Sequence, residues 1–150
     1  METAEFLISA NAGEPPKPIA KIASGGELSR MMLALKAVVG DRDEIPTMIF
    51  DEIDTGVSGR AAQKIGIKLR QIGSMRQVLC VTHLSQIAVM AEHHLLIEKR
   101  IVQNRTETSV TVLDFAGRVR EIARIMGGEN PSRLMLETAE AELRSAMQKP

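Results

Sequence analysis

A chain of 150 residues is long enough for one domain with a real hydrophobic core. Its 19 basic and 19 acidic residues cancel to zero net charge, which argues against strong autonomous nucleic-acid binding, and 3 Phe without Trp or Tyr offer no platform for stacking single-stranded bases. A lone cysteine excludes an internal disulfide framework, no apolar run approaches the ~20 residues of a membrane span, and no basic leader precedes Glu2 and Glu5; a cytoplasmic chain in a reducing compartment is expected.

In chain order, residues 4–10 read as a short apolar strand, and the proline-rich stretch 11–18 as a loop. Residues 19–22 read as a second short strand. Ser24 then caps a helix to about Val39, with Leu28, Met31, Met32, Leu35, Val38 and Val39 at helical spacing and residues 40–43 ending it. Residues 47–50 form an apolar strand stopping abruptly at Asp51-Glu52, as a buried parallel strand does when its carboxyl edge carries function. A helix over 59–73 follows, with Ala61, Ile65, Leu69 and Ile72 on one face, then a second buried strand over 77–82 ending at His83.

A short helix over 85–91 comes next, then strands over 94–99 and 106–113 that look like a hairpin. An amphipathic helix over 116–126 carries Val119, Ile122, Ala123 and Met126 and is capped by Gly127-Gly128. Asn130 as N-cap and Pro131 at the first helical position open a last helix to about Gln148, striped by Met135, Ala139, Leu143 and Met147. The alternation of strand and helix predicts an α/β layer structure with a parallel core and no internal domain boundary.

Three constellations carry chemistry. Ser24-Gly25-Gly26-Glu27 opens a helix, where free N–H groups and the positive dipole end suit an anion and two residues without Cβ allow close approach; a plain capped helix start fits the same residues. Asp51-Glu52 can divide labour, Asp51 holding Mg²⁺ and Glu52, facing the other way, polarising a water; two solvated acids in a turn are the alternative. His83 lands on the same sheet edge, where it can contact a phosphate or orient water, or serve structure alone. Cys80 reads as a buried small hydrophobe, and His93 and His94 as structural. Arg60, Lys64 and Lys68, four apart, read as a solvated helix face or a surface for DNA or a partner.

In this order and spacing, the motifs resemble the second half of an ATP-binding-cassette ATPase head. Ser24-Gly25-Gly26-Glu27 matches the signature motif, Met48-Ile49-Phe50-Asp51-Glu52 looks like the Walker B strand with its catalytic glutamate, residues 54–58 correspond to the D-loop, and His83 to the switch histidine. The wider stretches 24–30, 49–56 and 78–88, with Glu121-Ile122-Ala123-Arg124-Ile125-Met126-Gly127-Gly128, are similar to the bacterial RecN family of DNA double-strand-break repair ATPases, which are related to structural-maintenance-of-chromosomes (SMC) proteins. The resemblance covers about residues 5–143.

It implies the C-terminal lobe, residues 1–150, of a P-loop NTPase head: parallel core strands flanked by helices, a β-hairpin and C-terminal helices. It implies ATP and Mg²⁺, with Asp51 as metal ligand, Glu52 and His83 as catalytic residues, Ser24, Gly25, Gly26 and Glu27 binding nucleotide, and Asp54, Gly56 and Ser58 in the D-loop. The implied partners are the N-terminal Walker A lobe of the same protein, a second head in a homodimer, and DNA through the full-length protein, with no membrane and a nucleoid-associated location. Ala23 stands where many cassettes have Leu, and Ser58 where the D-loop aspartate usually lies. No Gly-x-x-x-x-Gly-Lys-Ser/Thr and no long heptad stretch occurs in these residues. The lobe alone is therefore expected to hydrolyse ATP weakly or not at all. A non-catalytic dimerisation or docking lobe, and the ATPase lobe of another cassette protein such as a transporter subunit, are the alternatives; Glu27-Leu28-Ser29-Arg30 favours the repair branch.

Overall fold

The computed structural model describes residues 5–9, 13–19, 24–39, 45–102 and 105–148. The elements run β1 (Leu7–Ile8), β2 (Lys17–Pro18), α1 (Gly25–Val39), β3 (Thr47–Phe50), α2 (Gly59–Gly73), β4 (Gln77–Cys80), α3 (Ser85–Ala88), β5 (Leu95–Val102), β6 (Arg105–Val112), α4 (Phe115–Gly127) and α5 (Arg133–Gln148). They pair as three two-stranded sheets: β1–β2 antiparallel, β3–β4 parallel and β5–β6 antiparallel. The α/β reading, the parallel core pair, the hairpin and the C-terminal helices all stand.

Two cores hold the chain. In the first, Met48 and Phe50 of β3 pack with Leu33 of α1, Ile65, Leu69 and Ile72 of α2, and Ile87 of α3. In the second, α4 and α5 meet through Ile122, Ala123, Ala139, Leu143 and Ala146, joined by Val89 and Met90 after α3. Fully buried aliphatics of this kind stabilise by about 2–5 kcal/mol each against truncation to Ala. Arg70 of α2 reaches the carbonyl of Ala146 and links the two cores.

The structure departs from several expectations. β3 and β4 are covered on one face only: Met48 and Phe50 are buried, while their neighbours Ile49 (71% exposed), Leu79 and Val81 face outward. The apolar runs read as doubly buried strands because an uncovered apolar face looks the same in sequence. In α1 the buried side chain is Leu33 rather than the expected stripe, and Leu28, Met32, Val38 and Val39 are exposed. In α2, Ala62 and not Ala61 is buried. Met126 and Met147 lie at exposed positions of their helices.

Within the predicted loop, Lys17–Pro18 pair with Leu7–Ile8, and the Ile19 N–H donates to the Phe6 carbonyl at 3.1 Å. Residues 20–23, and with them most of the predicted second strand and Ala23, lie outside the described residues, as do 40–43 at the end of α1. β4 ends at Cys80 and α3 at Ala88, both short of expectation, because the chain turns to make the contacts described below. The hairpin strands are longer than predicted, with Val102 already opposite Arg105.

Asp114 caps α4, accepting from the Gly117 N–H at 2.7 Å, and Gly128 ends the helix at φ +85°. α5 is capped by Ser132, whose hydroxyl accepts from the Met135 N–H; Asn130 and Pro131 lie before the helix.

Candidate nucleotide site at the edge of the parallel pair

The parallel register sets Phe50 opposite Cys80, so the chain leaves β3 and β4 at the same edge. Asp51-Glu52 and Thr82-His83 leave side by side, and the Val81 N–H donates to the Phe50 carbonyl at 3.0 Å. This is the edge at which open α/β sheets bind ligands.

Ser24 and Glu27 form a reciprocal capping box on α1. The Glu27 N–H donates to Ser24 Oγ at 3.4 Å, and the Ser24 N–H to Glu27 Oε2 at 3.1 Å. The cap leaves the first turn ordered, and Gly25 and Gly26 have no intrahelical acceptor for their N–H groups. The two glycines serve the chain itself as well. A Cβ on Gly26 would stand 2.8 Å from the Glu52 carbonyl oxygen and 3.0 Å from Thr55 Cβ, and one on Gly25 would collide with the Glu52 carboxylate. The start of α1 therefore lies directly against the Asp51-Glu52 turn. Ser29 Oγ donates to the Asp51 carbonyl at 2.7 Å, and Arg30 Nη1 to the Thr55 carbonyl at 2.7 Å and the Ile53 carbonyl at 3.3 Å.

Asp51 and Glu52 are both exposed. The Asp51 Oδ1 accepts from the Glu52 N–H at 2.8 Å, which orients its carboxylate at the strand end. Glu52 has φ +56°, the one positive φ outside glycine among the described residues. A left-handed conformation costs a residue with a Cβ about 1–2 kcal/mol, and such strain gathers at functional sites. Gly56 continues the turn at φ +73°, and Ser58 precedes α2 with its hydroxyl not used as a cap.

Asp54 is 4% exposed and joins the two strand ends. Its Oδ2 accepts from Thr82 Oγ1 at 2.7 Å and from the His83 N–H at 2.8 Å, and lies 3.0 Å from His83 Nδ1. The rest of the His83 side chain is exposed. Sequence reading placed Asp54 in the D-loop without this link, and gave Ser29 and Arg30 no role; these contacts span more than twenty residues and have no local signal. Cys80 sits behind the edge. Burial first, then the charges of Asp54 and Asp51, push its thiol up to about 12, so it is protonated and inert at neutral pH.

Away from the edge, His94 Nε2 contacts the Ala88 carbonyl at 2.9 Å. Arg118, 7% exposed, donates to the carbonyls of Ala91 and Glu92 and so fastens α4 to the turn after α3. Arg60, Lys64 and Lys68 are exposed on α2. Among the described residues no three His, Cys, Asp or Glu side chains converge as a metal cage, and no helix is long and apolar enough to cross a membrane.

The chain is 48% identical over 138 residues to the DNA repair protein RecN of Haemophilus influenzae, covering 92% of this chain and 25% of that protein. It is 45% identical over 148 residues to RecN of Bacillus subtilis, covering 99% of this chain and 26% of that protein. The chain thus spans about a quarter of the length of the curated relatives it matches. The resemblance read from the motifs extends over nearly the whole chain. A solved structure, from work on ATP-driven dimerization and DNA-stimulated activation of SMC ATPases, superposes with a TM-score of 0.55 at 15% identity, covering 79% of this chain and 71% of that one. The two chains share a fold over that region. No family model matches the chain.

Proposed function

We propose that this chain is the C-terminal lobe of the head of a RecN-type DNA double-strand-break repair ATPase, and that it works by ATP-driven pairing of two heads. One observation carries the reading: the parallel register of β3 and β4 brings Asp51-Glu52 and Thr82-His83 to a single edge, against the capped start of α1.

In this reading Asp51 holds Mg²⁺. An exposed carboxylate at the strand end suits an ion that takes one or two carboxylates and completes its shell with water and substrate phosphates. The ion would neutralise phosphate charge. Glu52 takes a proton from the attacking water as general base. His83 contacts the γ-phosphate, and residues 54–58, with Gly56 and Ser58, form the D-loop between heads. Ser24, Gly25, Gly26 and Glu27 complete the ATP site of the partner head, where α1's N–H groups and dipole meet phosphate.

The N-terminal Walker A lobe of the same protein supplies the phosphate loop and lysine that these residues lack. The uncovered apolar face at Ile49, Leu79 and Val81 supports a further layer there. DNA binding belongs to the full-length protein, in keeping with the name of the relatives and the zero net charge of this lobe.

The test is Glu52→Gln in the full-length protein. ATP binding is retained, turnover falls about 100-fold or more, and an ATP-bound head dimer accumulates. Undiminished turnover overturns the assignment of the base.

A further inference from the structure

We propose that Asp54 is the positioning residue for His83: its buried carboxylate holds a proton on Nδ1 and leaves Nε2 as the atom offered to the nucleotide. The inference rests on the reading of His83 as a site residue, and adds the group that sets its chemistry.

The Asp54 carboxylate oxygen lies 3.0 Å from Nδ1, at ion-pair distance, and a negative charge that close favours a proton on the near ring nitrogen over the far one. The imidazole tautomer is fixed by the partner of the second nitrogen. Asp54 is itself fixed. The Thr82 hydroxyl and the His83 N–H donate to the same Oδ2, and Thr82 Oγ1 accepts in turn from the Leu84 N–H at 3.1 Å. The carboxylate is 4% exposed while the histidine ring is 75% exposed, so only the far side of the ring is open to a ligand. Ser58 takes no part in this network, although it occupies the usual position of the D-loop aspartate. Asp54 also spans the two strand ends: any shift of the turn after β3 is passed to the ring that follows β4.

Two measurements test the proposal together. The first is ¹⁵N NMR of the imidazoles in this 150-residue chain, with His83 identified by His83→Gln. His83 is expected in the Nδ1–H form, and in Asp54→Asn, whose amide can donate, it shifts to Nε2–H. The second is ATP turnover of the full-length protein. Asp54→Asn is expected to lower kcat about tenfold or more while KM for ATP stays within about threefold, because a wrong tautomer harms chemistry more than binding. Asp54→Asn combined with His83→Gln is expected to be no worse than His83→Gln alone, since both act through one ring.

An Nε2–H form in the unsubstituted chain overturns the proposal without any variant needing to fold. A tautomer that switches in Asp54→Asn without loss of kcat overturns the positioning role, even though the carboxylate sets the tautomer. If His83→Gln turns over ATP normally, the placement of His83 in the site fails, and the role of Asp54 fails with it. In that case the tautomer result still identifies which of the two was wrong.

Discussion

The hydroxyl of Ser29 donates to the carbonyl oxygen of Asp51 at 2.7 Å, so the second turn of α1 is fastened to the residue that follows β3. Arg30, one residue on, holds the following turn through the carbonyls of Ile53 and Thr55. The capped helix and the acidic edge are therefore one structural unit within this chain. That unit explains why a motif read for its possible phosphate contact must also satisfy internal packing.

Removing these ties should loosen the unit in proportion to the donors lost. Ser29→Ala is expected to cost about 0.5–1.5 kcal/mol, and Arg30→Ala about 1–3 kcal/mol because one charged donor serves two carbonyls. Both bonds come from the single nitrogen Nη1, so the planar fork is not used, and Arg30→Lys is expected to recover part of the loss through its one ammonium. Urea denaturation of the three variants checks the order, and equal midpoints for Arg30→Ala and the unsubstituted chain would show that the contacts carry no net stability.

The two glycines at the start of α1 should part company on substitution. In Gly26→Ala the new methyl meets the backbone oxygen of Glu52 at 2.8 Å, and backbone cannot swing aside. A destabilisation of about 1–3 kcal/mol is expected from such overpacking. In Gly25→Ala the obstacle is the flexible end of the Glu52 side chain, and alanine at a helix start is well tolerated, so the fold survives and the carboxylate moves. Thermal unfolding separates the two. If Gly25→Ala proves as damaging to stability as Gly26→Ala, the Glu52 carboxylate is held more rigidly than its exposure implies.

Much of this was legible in the sequence where a signal is local. The helix over 59–73 has one clear apolar face, and its bounds match the structure residue for residue. The strand over 47–50 is a short apolar run between a proline and two acids. In α1, by contrast, apolar residues occur around most of the helix, so periodicity could not single out Leu33 as the buried one. Asn130-Pro131 carried an N-cap signal, yet the cap is Ser132, whose hydroxyl accepts from the Met135 N–H. For the site, each residue type was visible but the links were not. The left-handed turn at Glu52 has no signature in a residue that rarely adopts it, and the Asp54–His83 contact depends on a register set across 29 residues.

The thiol of Cys80 should be chemically silent in the folded chain. With the thiol pushed from 9.0 to about 12, the thiolate fraction at pH ~8 is about 10⁻⁴, against about a tenth at the unshifted value. Alkylation by iodoacetamide is expected to be about a thousandfold slower in the folded chain than in urea, read by mass spectrometry. Rapid labelling of the folded chain would mean that β4 opens often, or that the thiol is less buried than its surroundings imply.

His94 should make the fold sensitive to mild acid. Burial first, then the charge of Arg118, holds its pKa below 6.5, against the opposing pull of the Ala88 carbonyl and Glu121. The unfolded chain, with a histidine near the ordinary ~6.5, therefore binds the extra proton at higher pH than the folded chain does. His94 contributes stability that is fully present above the unfolded value and is lost as pH falls through the window down to the folded one. The melting temperature is expected to fall as pH drops through and below the ordinary histidine value of ~6.5, and to fall less steeply in His94→Gln, which has no proton to take up. Since His94 bonds the Ala88 carbonyl while Arg118 holds those of Ala91 and Glu92, the segment expected to yield first is the turn between α3 and β5. Hydrogen exchange at low pH should show residues 88–94 losing protection before α4 and α5, and identical pH slopes for His94→Gln and the unsubstituted chain would exclude the histidine as the cause.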